Sequence, residues 1–355
     1  MLLSLLLNLP VRAADAEEVL ADTLSLDGLS EAAEGSGAED WGSPAEGVDA
    51  EGFLAALGRD ALRALLEPEL LRDMGAVLLT VLLCSAAGVV SDAAAAGFDA
   101  VSLAGAAAVT LLLAGGNDAL VRETEETVYS LRDVSEVLLP ILSSAALLSG
   151  QITAAAAKYA AAALFLNLLV RLCCGFVLPL VRLYVAAAAA EAAVGSGVMT
   201  SVLGFLRWCA VTALTVLMLA FTLYLSLTAL TANSADAALV RSAKTAVSTL
   251  LPVVGGIAGD AAASLLSAAG VIRQSVGAFG LLTVTGFLAA PFLRAGLRGL
   301  LLKGVSAAAA GFASDRLSVL LKRLSEAMSL LLGCLGACGL LLFFTVYALM
   351  EASPV

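Results

Sequence analysis

Seven ionisable side chains lie within or beside long apolar runs of this sequence: Lys158, Arg171, Arg182, Arg207, Asp260, Arg273 and Arg294. A charge held in hydrocarbon is costly and marks an ion or proton pathway, unless a long side chain lets it reach the headgroups. The six basic residues allow both readings. Asp260 is too short to reach far. It stands in LPVVGGIAGDAAASLL after Gly255, Gly256 and Gly259. There it could cap a helix that starts at Ala261, face a polar pathway or pair with an arginine.

Much other chemistry is ruled out by residue type. The chain has no histidine, which removes imidazole acid–base catalysis and most zinc and haem ligation. Its six cysteines are Cys84, Cys173, Cys174, Cys209, Cys334 and Cys338, and no two form a CxxC pair. Cys334 and Cys338 sit one helical turn apart. They read as small packing residues, with a thiol redox or metal site as the alternative. No Ser/Lys or paired-aspartate motif stands out, and no GxxxxGK[ST] loop occurs. No catalytic, cofactor-binding or metal-binding residue is therefore assigned, no cofactor is expected, and the chain is expected not to be an enzyme. An intramembrane enzyme is the weakest of the functional classes considered.

The elements that must position these residues are membrane helices. Of 355 residues, 61% are hydrophobic and only 14% charged, against about 25% charged in an ordinary globular domain. Such a chain cannot cover itself with polar groups, so much of its surface must face lipid. The fold class expected is all-α: a polytopic helical membrane protein of about six to eight spans, with interrupted or re-entrant helices. A span needs about 20 apolar residues, and candidates lie at 74–91, 100–117, 155–178, 207–231, 274–293 and 329–350. Shorter or glycine-rich runs at 137–150, 179–194, 247–269 and 295–313 could be half-helices, re-entrant or interfacial segments. The last span, 329–350, has no charge, and its Gly333, Gly336 and Gly339 offer a strip for close helix packing.

Ahead of the spans the chain changes character. Residues 1–16 resemble a signal peptide, with an apolar run at Leu2–Leu7 and cleavage expected after Ala13 or Ala16. Residues 17–52 are acidic and expected to be largely disordered outside the cytoplasm, with a short helix near Glu17–Leu29. Residues 53–73 place Phe53, Leu54, Leu57, Leu62, Leu65 and Leu66 near one face, an amphipathic helix suited to the interface. Residues 74–355 form the multi-spanning domain. Residues 1–73 hold 16 of the 30 acids and 4 of the 19 basic residues. The remainder is close to neutral, and no clustered basic face suggests nucleic-acid binding. The cluster Arg294, Arg298, Lys303, Arg316, Lys322 and Arg323 faces only Asp315, so that end is expected to be cytoplasmic.

The prolines of the membrane body suggest a tandem repeat. Pro140 and Pro252 are 112 residues apart, as are Pro179 and Pro291. Leu138-Leu-Pro-Ile141 matches Leu250-Leu-Pro-Val253, and Pro179-Leu-Val-Arg182 matches Pro291-Phe-Leu-Arg294. Ala119-Leu-Val-Arg122 recurs as Ala238-Leu-Val-Arg241 at an offset of 119. The units would run roughly 100–206 and 207–328. The prolines are expected at equivalent helix breaks, and the repeat favours a transporter-like pseudo-symmetry. The four prolines, with Gly255, Gly256, Gly259 and Asp260, are the candidate structural or polar-pathway positions.

Three stretches carry a family resemblance: FDAVSLAGAAAVTLLLAGG (98–116), LLPILSSAALLSGQITAAA (138–156) and AKTAVSTLLPVVGGIAGDAAASLLSAAGVIRQSVGAFG (243–280). They resemble stage III sporulation protein AE of endospore-forming bacteria, over roughly 53–350. The resemblance implies a multi-pass protein of the mother-cell membrane around the forespore. It implies partners too: the other stage III operon proteins, an ATPase among them, and stage II sporulation protein Q. Together these would form a complex of secretion or feeding-channel type made during engulfment. This chain would be its membrane platform or permease-like component. No catalytic residues transfer with the resemblance. The competing reading is a stand-alone secondary transporter built on the repeats.

Overall fold

The computed structural model describes residues 26–36, 42–43, 47–65, 68–92, 100–148, 152–194, 197–250, 255–309 and 315–350. The helices among them are α1 (Leu26–Ala32), α2 (Ala50–Leu65), α3 (Pro68–Asp92), α4 (Ala100–Leu148), α5 (Ile152–Leu172), α6 (Leu178–Val194), α7 (Gly197–Leu250), α8 (Gly255–Ala309) and α9 (Asp315–Met350). A π-helical turn, Cys173–Val177, joins α5 to α6. The only strands among the described residues are β1 (Gly42–Ser43) and β2 (Gly47–Val48), paired antiparallel. The chain is thus an all-α protein, as its composition requires.

Among the described residues, five helical stretches are long and apolar enough to cross a membrane: Leu103–Leu148, Ala155–Val194, Val198–Leu227, Ala269–Ala309 and Arg316–Met350. The sequence suggested six to eight. Some of the separate apolar windows of the sequence are consecutive parts of one helix. Windows 155–178 and 179–194 run on through the π turn, and 274–293 and 295–313 share α8. The window at 74–91 is helical in α3 but is not among the five. At 1.5 Å per residue the 54 residues of α7 reach about 80 Å, well over twice the roughly 30 Å of hydrocarbon.

Two prolines expected at helix breaks do not break their helices. Pro140 lies inside α4 and Pro291 inside α8. Pro140 is on the exposed face, so the carbonyl of Glu136 that it deprives of a donor is left on the outer surface. Pro179 also interrupts nothing, because it follows the π turn and lies in the first turn of α6. The amide of Leu178 bonds back to the Cys173 carbonyl in the wider π pattern, which makes room for the proline ring one residue on. Pro252 lies outside the described residues, as does the side chain of Asp260; α8 begins at Gly255 and not at Ala261, so Asp260 lies within the helix and not at its N-cap.

Helices α4 and α5 form an antiparallel hairpin, and α9 runs antiparallel to both α6 and α8. Close approach of α8 and α9 uses the expected glycines. Gly336 meets Phe292 and Gly339 meets Leu288, while Gly333 faces Leu214 of α7. Phe165 and Phe221 meet edge to face at 5.4 Å and tie α5 to α7. Hydroxyls within apolar helices satisfy themselves on the preceding turn, as in Thr283 to the Phe279 carbonyl at 2.9 Å and Thr345 to that of Leu341 at 2.8 Å.

Part of the acidic segment expected to be disordered is packed. Leu29 and Ala33 are fully buried in a cluster with Leu138, Leu142 and Phe279. Ser36 abuts Gly286, where any Cβ would collide with its carbonyl. The amphipathic helix α2 buries Phe53, and its Leu57 lines a cavity together with Leu288 and Phe292 of α8.

Candidate functional site: a charged network within the helix bundle

Apolar helices with isolated charges fold so that those charges find one another, because an unpaired charge in a low-dielectric interior is far more costly than a paired one. Near the α8–α9 turn, three helices converge in a chain of alternating charge. Thr200 of α7 donates to Glu191 of α6 at 2.5 Å. Arg323 of α9 donates through Nε to Glu191 at 3.0 Å and through Nη1 to Glu326 at 3.2 Å. Glu326 also accepts from the buried Tyr184 hydroxyl at 2.5 Å and pairs with Arg207 of α7 at 3.1 Å. The Glu191 side chain is 8% exposed and that of Arg323 is 17% exposed. Arg316 donates to the Ala193 carbonyl at 3.1 Å, closing the C-terminus of α6.

A second group surrounds the middle of α4. Residues 118–136 there carry six carboxylates and two arginines: Asp118, Arg122, Glu123, Glu125, Glu126, Arg132, Asp133 and Glu136. Arg182 of α6 reaches Asp118 and Glu125, each at 3.5 Å. Arg294 of α8 pairs with Glu123. These two arginines are the equivalent residues of the Pro-x-x-Arg words, and both end on the same helix. One turn from Arg294, Arg298 lies over Gly116 and 4.0 Å from Asp73. A Cβ at Gly116 would strike that guanidinium. Beside it Asn117, 4% exposed, has no hydrogen-bond partner for either polar side-chain atom among the described residues.

The outer face of α4 is the unusual part. Because α4 and α5 are antiparallel neighbours, residues equidistant from their turn share a level. Glu136 and Asp133, with side chains 57% and 70% exposed, are level with Leu164 and Leu168, which are 62% and 48% exposed. A charged exposed face and an apolar exposed face thus occupy the same depth.

The remaining sequence candidates are dispersed. Lys158 is buried and donates to the Ala348 carbonyl at 2.6 Å, at the end of α9. Arg171 is exposed and Arg273 is buried. Cys334 and Cys338 come together with Cys173, thiol against thiol, in the interior. All six cysteines are free, and no group of three His, Cys, Asp or Glu side chains among the described residues could hold a metal ion. The sequence reading overlooked Glu191 and Glu326. Their signal was the same as that of Asp260, a single acid within an apolar run, here AAAAAEAAV and LSEAMSLLL.

The family described as Stage III sporulation protein AE matches residues 69–353. The chain belongs to that family. Its role therefore lies in sporulation, and its five apolar helices make it a multi-pass membrane protein of the family. The match runs from the second residue of α3 past the end of α9 and hence covers both charged groups. The packed segment around α1 and α2 precedes it. Comparison with curated proteins gives no match, and comparison with solved structures gives none.

Proposed function

We propose that this chain is a non-enzymatic membrane subunit of a complex joining mother cell and forespore, its platform or permease-like component. It would reside in the mother-cell membrane around the forespore and work with other stage III operon proteins, an ATPase among them, and with stage II sporulation protein Q. The supporting observation is the exposed charged face of α4 at the depth of Leu164 and Leu168. Carboxylates cannot face hydrocarbon at a level where the neighbouring helix does. That face requires water or another protein against it, and a subunit that completes itself in an assembly meets the requirement. The alternative, a stand-alone secondary transporter, draws support from Arg182 and Arg294, 112 residues apart and both anchored on α4.

The two readings differ in what covers α4. With native cysteines replaced by alanine, a cysteine at Asp133 is probed with a water-soluble maleimide, which reacts with a hydrated thiolate. The subunit reading expects labelling when the chain is made alone and protection when the operon partners are present. Equal labelling under both conditions overturns it in favour of the transporter.

A further inference from the structure

A cavity of about 560 Å³ opens between α7, α8 and α9 beside the charged network. Its wall carries Arg207, Lys303 and Lys322 together with the hydroxyl-bearing Ser306 and Ser318, and its one acid is Glu326. That acid is already committed to Tyr184, Arg323 and Arg207. Lys303 and Lys322 are exposed, and neither has an ion pair among the described residues. The cavity therefore holds two cations in excess of its own carboxylates, beside serine hydroxyls.

Its place in the bundle narrows what would neutralise that charge. The cavity lies where α6 ends, α7 starts, α8 ends and α9 starts, at one end of the helices. Next to Arg207 on α7, Phe205 and Trp208 stack at 6.2 Å and are each 62% exposed. Amphipathic aromatic rings of this kind collect at the level of lipid headgroups. Beyond them α7 presents Val216, Leu219 and Leu223 outward, the start of a lipid-facing band. An anion at this site would thus have hydrocarbon directly below it. Basic pockets between helices at this depth suit phospholipid phosphates.

We propose that this cavity binds the phosphate headgroup of an anionic phospholipid, held by Lys303 and Lys322 with Arg207 at its edge. The acyl chains then descend along the exposed face of α7. The site is separate from the outer face of α4 and does not depend on what covers that face.

The test uses the full chain purified in an uncharged detergent. Phosphatidylglycerol is titrated in one arm, phosphatidylcholine in a second and inorganic phosphate in a third, with bound lipid counted by native mass spectrometry. Wild-type protein should retain phosphatidylglycerol over phosphatidylcholine, and inorganic phosphate at the same concentration should not displace it. Each charge near an anionic headgroup is worth about a fivefold change, so Lys303→Gln with Lys322→Gln should weaken retention about 30-fold. Lys303→Arg with Lys322→Arg should keep it. Equal retention by the glutamine pair and the wild type overturns the proposal. So does full displacement by inorganic phosphate, which would make this a free-anion site. If the glutamine pair fails to fold, loss of retention in the well-folded arginine pair overturns it as well.

Discussion

Glu191→Ala is the most informative substitution in the charged network. It removes the acceptor of Thr200 at 2.5 Å and the closer acceptor of Arg323 at 3.0 Å, in a side chain only 8% exposed. Breaking a buried pair by deleting one partner costs about 3–5 kcal/mol, because the other charge stays buried. Arg323 still has Glu326 at 3.2 Å, so the low end, about 3 kcal/mol, is expected. Glu191→Gln keeps a neutral acceptor and should cost only about 1 kcal/mol, the difference between a charged and a neutral hydrogen bond. Replacing both partners, Glu191→Leu with Arg323→Leu, should return to within about 1 kcal/mol of wild type, since apolar substitutes for a buried pair are often neutral. Glu326 retains Arg207 and Tyr184 in that variant. The assay is unfolding in mixed micelles of increasing denaturing-detergent content, followed by the fluorescence of Trp208 on α7. A loss below about 0.5 kcal/mol for Glu191→Ala, or a double variant no better than the single, would show that the pair is not a buried, mutually dependent one.

Three further outcomes follow from the packing. Gly286→Ala should release residues 26–36 from α8, because a Cβ there meets the Ser36 carbonyl. Limited proteolysis should then cleave the N-terminal segment while the bundle survives. Arg182→Gln and Arg294→Gln should each loosen α4, and the double variant should lose more than the sum, measured by hydrogen exchange over residues 118–136. A cysteine at the exposed Glu34 should react with an impermeant reagent from outside. One at Gly304, where the added side chain meets open space, should react only after permeabilisation. Labelling of both from the same side would contradict the charge-based topology.

The sequence made the membrane class and the glycine seam legible, and it marked Arg182 and Arg294 as equivalent positions of two similar words, because each rests on residue type and spacing. It did not reveal that α4 is continuous. A run of six carboxylates between two apolar stretches reads as a loop or surface helix, yet Arg182 and Arg294 arrive from residues far along the chain and hold it in place. Pro140 reads as a break because the sequence does not say which face it occupies, and on the exposed face the lost hydrogen bond is cheap. The Glu191–Arg323 pair joins residues 132 apart, a contact no local pattern contains. The burial of Leu29 and Ala33 was hidden by their acidic neighbours, since composition reports the average of a segment and not its one buried face.

The anchoring of α4 also sets an order on how the protein is made. As it leaves the ribosome, α4 offers the translocation channel two apolar stretches separated by six carboxylates, a poor candidate for entry into lipid by itself. One of its two arginine partners, Arg294, lies 171 residues after Glu123. At roughly 5–20 residues per second that is about 10–30 s of further synthesis. Arg182 is made earlier and can hold α4 first, but the Glu123–Arg294 pair cannot close until α8 emerges.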